Sequence, residues 1–223
     1  MKKRLFFLFV FSLMAFKGKE LPNVLIIGDS ISIGYTPYVT KALEEKANVV
    51  HNEGNAQHTG TGLLKLDQWL GNTKWDVIHF NWGLWDLCYR SEQSKVYGNR
   101  DKIHGTVTFT PEEYGKNLEQ LVRGLKQTNA KLIFATITYV PKGEAGRFFG
   151  DDKRYNKVAV RIMKKHNIQI NNLNKRSRII HKKFKNEEGD VHFTPEGYAL
   201  LAEKVTNKIL DNLQQDYFKK IKQ

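Results

Sequence analysis

The stretch Val24-Leu25-Ile26-Ile27-Gly28-Asp29-Ser30 restricts the possible folds of this chain more than any other. Four consecutive apolar residues between Pro22 and Gly28 show no polar alternation, so a strand made of them must be covered on both faces, as in a parallel sheet flanked by helices. Open α/β sheets place their ligands outside the carboxyl ends of such strands, which is where Ser30 would stand. A hydroxyl there is a candidate nucleophile, and at neutral pH it needs a base. The strongest candidate base lies at the far end of the chain, in Asp190-Val191-His192-Phe193-Thr194-Pro195-Glu196-Gly197.

Between these two stretches, strand and helix signals alternate. Asn48–His51, the apolar start of the stretch Asp76–Leu87, Lys131–Thr138 and Ile168–Ile170 read as further strands, which makes five. Thr36-Pro37 reads as a helix start continuing to Ala47. Leu63, Leu66, Trp69 and Leu70 recur at helical spacing ahead of Gly71-Asn72, and Thr110-Pro111-Glu112-Glu113 is a capping box before Tyr114, Leu118, Leu121, Val122 and Leu125. Tyr155, Val158, Ala159, Ile162 and Met163 mark another amphipathic helix. Alternation of this kind argues for a parallel sheet with right-handed crossovers.

The polar, aperiodic stretch from Arg90 to Phe109, with Tyr97, Gly98, Arg100 and His104, is long for a connection in a compact domain and reads as a substrate-side flap. The 223 residues suffice for one well-buried domain over 21–223, and no linker divides them. Lys2-Lys3-Arg4 followed by the twelve-residue apolar stretch Leu5 to Phe16, broken only by Ser12, has the layout of a secretory signal, read over 1–20, too short to span a bilayer comfortably. The expected location is therefore secreted or periplasmic, with no stable membrane insertion. The single cysteine, Cys88, excludes an internal disulfide, and no cysteine follows the apolar stretch to carry a lipid.

The formal charge is +13, and losing Lys2, Lys3, Arg4 and Lys17 with the signal leaves about +9. The excess is scattered over surface pairs such as Lys164-Lys165 and Lys182-Lys183, without aromatic interleaving, so no nucleic-acid partner is expected. His51 and His58 stand seven apart without a carboxylate or cysteine cluster, and neither a metal nor another cofactor is implied. A monomer is the simplest oligomeric reading.

Gly28-Asp29-Ser30 behind a strand, paired with Asp190-Val191-His192-Phe193-Thr194-Pro195 near the end, resembles the SGNH, or GDSL, hydrolase superfamily. The resemblance runs from Leu21 onward. It implies a flavodoxin-like three-layer α/β/α sandwich and ester hydrolysis through an acyl-serine intermediate, with Ser30 as nucleophile, His192 as base and Asp190 as the acceptor that orients it. The family aspartate lies three residues before the histidine, a position held here by Gly189, so Glu188 or a backbone carbonyl are alternatives to Asp190.

The oxyanion hole implied by the resemblance begins with the Ser30 backbone N–H. Asn52-Glu53-Gly54-Asn55-Ala56-Gln57-His58-Thr59 is similar to the family's second motif, with Gln57 where a glycine donates its N–H and with Gly60 or Asn55 as possible substitutes. Gly83-Leu84-Trp85-Asp86-Leu87 is similar to the third motif in a variant form that lacks its asparagine. Trp85 occupies that place, and Asn81 is the alternative side-chain donor. Ser32 is a rival nucleophile by type only. Asp29 and Arg147 are the expected substrate-binding residues, Arg147 from the glycine-rich loop Gly143 to Gly150.

The expected activity is removal of short acyl groups from carbohydrate, an O-acetylesterase. The alternatives are a lysophospholipase or thioesterase of the same family and, from a different class, a glycan-binding module that has lost turnover.

Overall fold

The computed structural model describes residues 20–221, with side chains to 214. The expected signal segment, apart from residue 20, lies outside the described residues. Five strands form one parallel sheet in the order β2-β1-β3-β6-β7: β1 (Asn23–Ile27), β2 (Asn48–His51), β3 (Val77–Phe80), β6 (Lys131–Ala135) and β7 (Gln169–Asn171). β1 lies between β2 and β3, with Val24 opposite Val49 and Val77, and is the strand the sequence marks as buried on both faces. Val24 through Ile27 are 0–1% exposed, as two-sided cover requires.

Six helices supply that cover: α1 (Ser30–Ala42), α2 (Thr59–Leu70), α3 (Pro111–Lys126), α4 (Asp151–Lys165), α5 (Leu173–Phe184) and α6 (Pro195–Ile221). α2 packs on α3 and α3 on α4, while α1 and α5 pack on α6, so the sheet lies between two helical layers. The α3 capping box forms as the sequence predicts, with the Thr110 hydroxyl on the Glu113 N–H and the Glu113 carboxylate on the Thr110 N–H. On the face between α3 and α4, Glu119 meets Lys165 and His166 at 2.9 and 2.7 Å.

Three local expectations need correction. α1 begins at Ser30 rather than Pro37, because the Asp29 carboxylate caps it by accepting from the Ile31 N–H (3.0 Å); Pro37 then sits inside the helix. The strand expected over Lys131–Thr138 stops at Ala135, because the backbone at Ile137 is taken by a side chain. Asn156 of α4 accepts from the Ile137 N–H and donates to the Ile137 carbonyl, at 2.8 and 2.9 Å. The polar stretch after Arg90 is not structureless: β4 (Tyr89–Arg90) and β5 (Thr106–Val107) pair antiparallel and anchor it beside the carboxyl edge of the sheet.

Candidate active site

Two loops and two helix starts converge at the carboxyl edge of β1. Gly28 ties β1 to the loop after β2, its N–H donating to Asn52 Oδ1 (2.9 Å) and its carbonyl accepting from the Ala56 N–H (3.0 Å). Ser30 is the first residue of α1, so its N–H belongs to the unpaired first turn, and it has no acceptor among the described residues.

The opposing group comes from the loop between α5 and α6. Its ends are pinned by the Lys185–Phe193 bridge and by Asn186 N–H donating to the His192 carbonyl. His181 of α5 lies under it, with Nε2 2.7 Å from the Asp190 carbonyl. Asp190 Oδ1 is 2.7 Å from His192 Nδ1 and also accepts from the His192 backbone N–H, while Oδ2 accepts from Asn186 at 3.2 Å. His192 Nε2 stands 2.8 Å from Ser30 Oγ. A carboxylate can only accept here, so Nδ1 carries the proton, and Nε2 is left bare to accept from the serine hydroxyl. Burial alone would raise the Asp190 carboxyl, but the hydrogen bond and charge of His192 outweigh it and hold the group well below the usual carboxylate range.

The structure therefore brings Ser30, His192 and Asp190 into one hydrogen-bonded line. Glu188 stands outside it, exposed and paired with Lys185 at 2.7 Å. The displacement of the acid by one position has a backbone cause. Gly189 has φ +75°, and a Cβ there would lie 3.1 Å from the Gly143 carbonyl oxygen, so an aspartate at 189 would be strained and crowded. Ser32 is turned away and buried, its Oγ 2.7 Å from both the Asp29 carbonyl and His51 Nε2.

The expected oxyanion donors are placed less as the sequence implies. Gln57 holds a left-handed conformation (φ +48°), as a residue in a glycine's place must, but its N–H donates to Asn55 Oδ1 at 2.8 Å and is spent. Asn81 is spent as well, because its amide donates to the Ala135 carbonyl at 2.6 Å on the neighbouring strand. Trp85 does line the cleft with Ser30, its ring lying under the Arg90 guanidinium at 4.4 Å. Asn55 lines the same cleft, and the bond to Gln57 fixes its Oδ1, leaving Nδ2 without a partner among the described residues.

Asp29 is a helix cap more than a substrate contact: it is 2% exposed, Oδ1 is held by Ile31, and burial raises its pKa against the opposing influence of that bond and of Arg147 and His192. Arg147 is also more structural than expected. It is 5% exposed, donates to the Leu84 carbonyl at 2.7 Å and pairs with buried Glu144 at 2.8 Å, while one side of it borders the cleft. The sequence reading assigned no role to Arg90, Glu144 or His181. Nothing in their local pattern sets them apart, because the contacts that place them, Arg100 on Glu144, Trp85 under Arg90 and the Asp190 carbonyl on His181, are made by other segments.

The cleft holds about 540 Å³, and its aliphatic lining is limited to Leu84, Ala145 and Val191. No described helix is long and apolar enough to cross a membrane.

A nucleophile, base and orienting acid beside free N–H donors can transfer an acyl group. Comparison with solved structures gives the same fold. An acetyl xylan esterase, AlAXEase, aligns at TM-score 0.65 and 18% identity over 84% of this chain and 99% of its own. The lipase/acylhydrolase from Enterococcus faecalis aligns at 0.68 and 21% over 85% and 95%. Axe2, an acetylxylan esterase from Geobacillus stearothermophilus, aligns at 0.67 and 17% over 86% and 94%. No curated protein matches the sequence. The model of the GDSL-like Lipase/Acylhydrolase family matches residues 26–200, from β1 into α6, and the chain belongs to that family of carboxylic ester hydrolases.

Proposed function

We propose that the protein is an exported O-acetylesterase that removes short acyl groups from carbohydrate, with Ser30, His192 and Asp190 as its catalytic residues. The observation that carries this reading is the line from Asp190 through His192 to Ser30, at 2.7 and 2.8 Å, opening on a cleft with little aliphatic lining. Ser30 Oγ attacks the ester carbonyl as His192 Nε2 takes its proton, and Asp190 stabilises the resulting imidazolium. The tetrahedral oxyanion is held by the Ser30 N–H at the start of α1 and by Asn55 Nδ2. Collapse breaks the bond to the leaving alcohol, which takes the proton from His192. Water, deprotonated by the same nitrogen, then attacks the acyl-serine; the bond from the acyl carbon to Ser30 Oγ breaks, Oγ takes the proton back from His192, and the carboxylic acid leaves.

A cleft with few aliphatic side chains and with polar groups beside its aromatic ones favours a small acyl group on a hydrophilic carrier, and the acetyl xylan esterases among the structures of like fold agree with that choice. Basic and apolar residues at the chain start supply the case for export. The test is acetate release from acetylated oligosaccharides alongside p-nitrophenyl esters of increasing chain length. Acetate release with turnover falling beyond short chains is expected, and Ser30→Ala abolishes it. A preference for long chains would turn the assignment to lysophospholipids. Glycan binding without turnover would turn it to a binding module.

A further inference from the structure

The β4–β5 hairpin and the loop after β6 bring three guanidinium groups, Arg90, Arg100 and Arg147, to one wall of the Ser30 cleft. One carboxylate is set among them. Glu144 is fully buried, and its Oε1 receives both Arg100 and Arg147 at 2.8 Å, while Oε2 accepts from the Gly146 N–H at 2.7 Å. Its acceptor capacity serves to hold the wall together.

Arg90 is left over. No carboxylate lies within ion-pairing distance of it among the described residues; one of its amino groups donates to the Gly98 carbonyl, and its planar head lies 4.4 Å above the Trp85 ring. Burial disfavours its cation most, and the like charges of Arg147 and Arg100 add to that, against the opposing influence of Cys88 and of the Glu144 carboxylate already shared by the other two arginines. The acids across the cleft do not neutralise it. Asp190 is taken by His192 and Glu188 by Lys185, Asp29 is buried as a helix cap, and Glu187 is exposed on the far lip. A half-buried guanidinium held over an indole, with two like charges near it and no acid ion-paired to it, Glu144 being shared by the other two arginines and Glu92 being exposed, is prepared for a planar or tetrahedral oxyanion from outside.

We propose that Arg90, assisted by Arg100, binds an anionic group, carboxylate or phosphate, on the alcohol side of the ester, so that acylated acidic saccharides are preferred over neutral ones. This rests on the esterase reading above. The charge belongs on the alcohol side because the esterase reading gives the acyl side a short uncharged chain, whereas Arg90 and the exposed Tyr97 reach the cleft from the β4–β5 hairpin segment.

The test uses three methyl glycosides acetylated at the same ring hydroxyl, differing only at C6: glucoside, glucuronide and glucoside 6-phosphate. The expected kcat/KM for one or both charged esters exceeds that of the neutral ester by about tenfold or more at low salt. That ratio shrinks as ionic strength rises, falls towards one in Arg90→Gln and is partly kept in Arg90→Lys. Because each variant is read against its own neutral turnover, loss of folded protein does not imitate the effect. Whichever charged ester is favoured identifies the anion. A ratio of one in the wild type, or a preference surviving Arg90→Gln, overturns the proposal and leaves the esterase standing. Calorimetry of Ser30→Ala with unacetylated methyl glucuronide and methyl glucoside 6-phosphate separates the converse case: Arg90-dependent binding of either, alongside no ester turnover by the wild type, rejects the esterase and keeps the anion site.

Discussion

Gly34 of α1 lies directly against the ring of Tyr198 in α6, so close that a Cβ at position 34 would stand 2.3 Å from a ring carbon. α1 starts with Ser30, and α6 starts three residues after His192. The missing side chain thus sets the spacing between two helices, one beginning with Ser30 and the other following the loop that carries His192. Gly34→Ala is expected to force them apart, at about 1–3 kcal/mol of stability. Activity on an acetyl ester should fall further than the loss of folded protein explains, and thermal unfolding with kcat on the folded fraction measures both.

The oxyanion assignment separates three side chains. Asn55→Ala should lower kcat by about 10²–10³-fold, the usual loss for one such donor, and Asn55→Asp, which keeps the acceptor for the Gln57 N–H, should be no better. Asn81→Ala should act through stability, since its amide serves Ala135. Trp85→Phe keeps the surface under Arg90 and should leave kcat near wild type. Steady-state kinetics on one acetyl ester decides among them.

Asp190→Asn should lower kcat by up to about 10⁴-fold, because an amide can donate to Nδ1 and turn the imidazole to the wrong tautomer. Glu188→Gln should leave kcat unchanged. Equal losses from both substitutions would remove the role given to Asp190.

Two buried groups outside the catalytic line give stability opposite slopes with pH. His79 in β3 is fully buried, and desolvation lowers its pKa to about 3. The unfolded chain therefore binds the extra proton between pH 6.5 and 3, and this contribution falls on acidification, by up to about 1.4 kcal/mol per pH unit. Burial raises Asp86 to about 7, against the hydrogen bonds from Thr59. Here the folded state holds the extra proton between about pH 4 and 7, and its contribution falls as pH rises. Relative to wild type, His79→Gln should lose less stability between pH 6.5 and 4.5, and Asp86→Asn should gain stability from pH 4.5 to 7. Urea titrations across that range measure both differences.

The sheet was legible because it depends on local composition: the runs at Val24–Ile27 and Lys131–Ala135 can only be buried, and a capping box marks α3. α5 was not legible, since its inward face carries Ser177 and His181 beside Leu173 and Ile180 and so lacks an apolar period. Ser30, His192 and Asp190 could be named because the residues flanking them are distinctive. The donors could not be assigned, because Asn81 and Gln57 are silenced by Ala135 and Asn55, contacts that sequence spacing does not reveal. Arg90 was missed for the related reason that its lack of an acid partner is a property of the folded cleft.

The central claim is that Ser30 is the nucleophile activated by His192. Labelling with a fluorophosphonate, whose phosphorus accepts the serine oxygen and expels fluoride, followed by peptide mass spectrometry, tests it most directly. The account predicts one adduct per chain, on Ser30, abolished in His192→Ala and unaffected in His51→Ala. An adduct on Ser32, or esterase turnover from a protein that takes no label at Ser30, would contradict it.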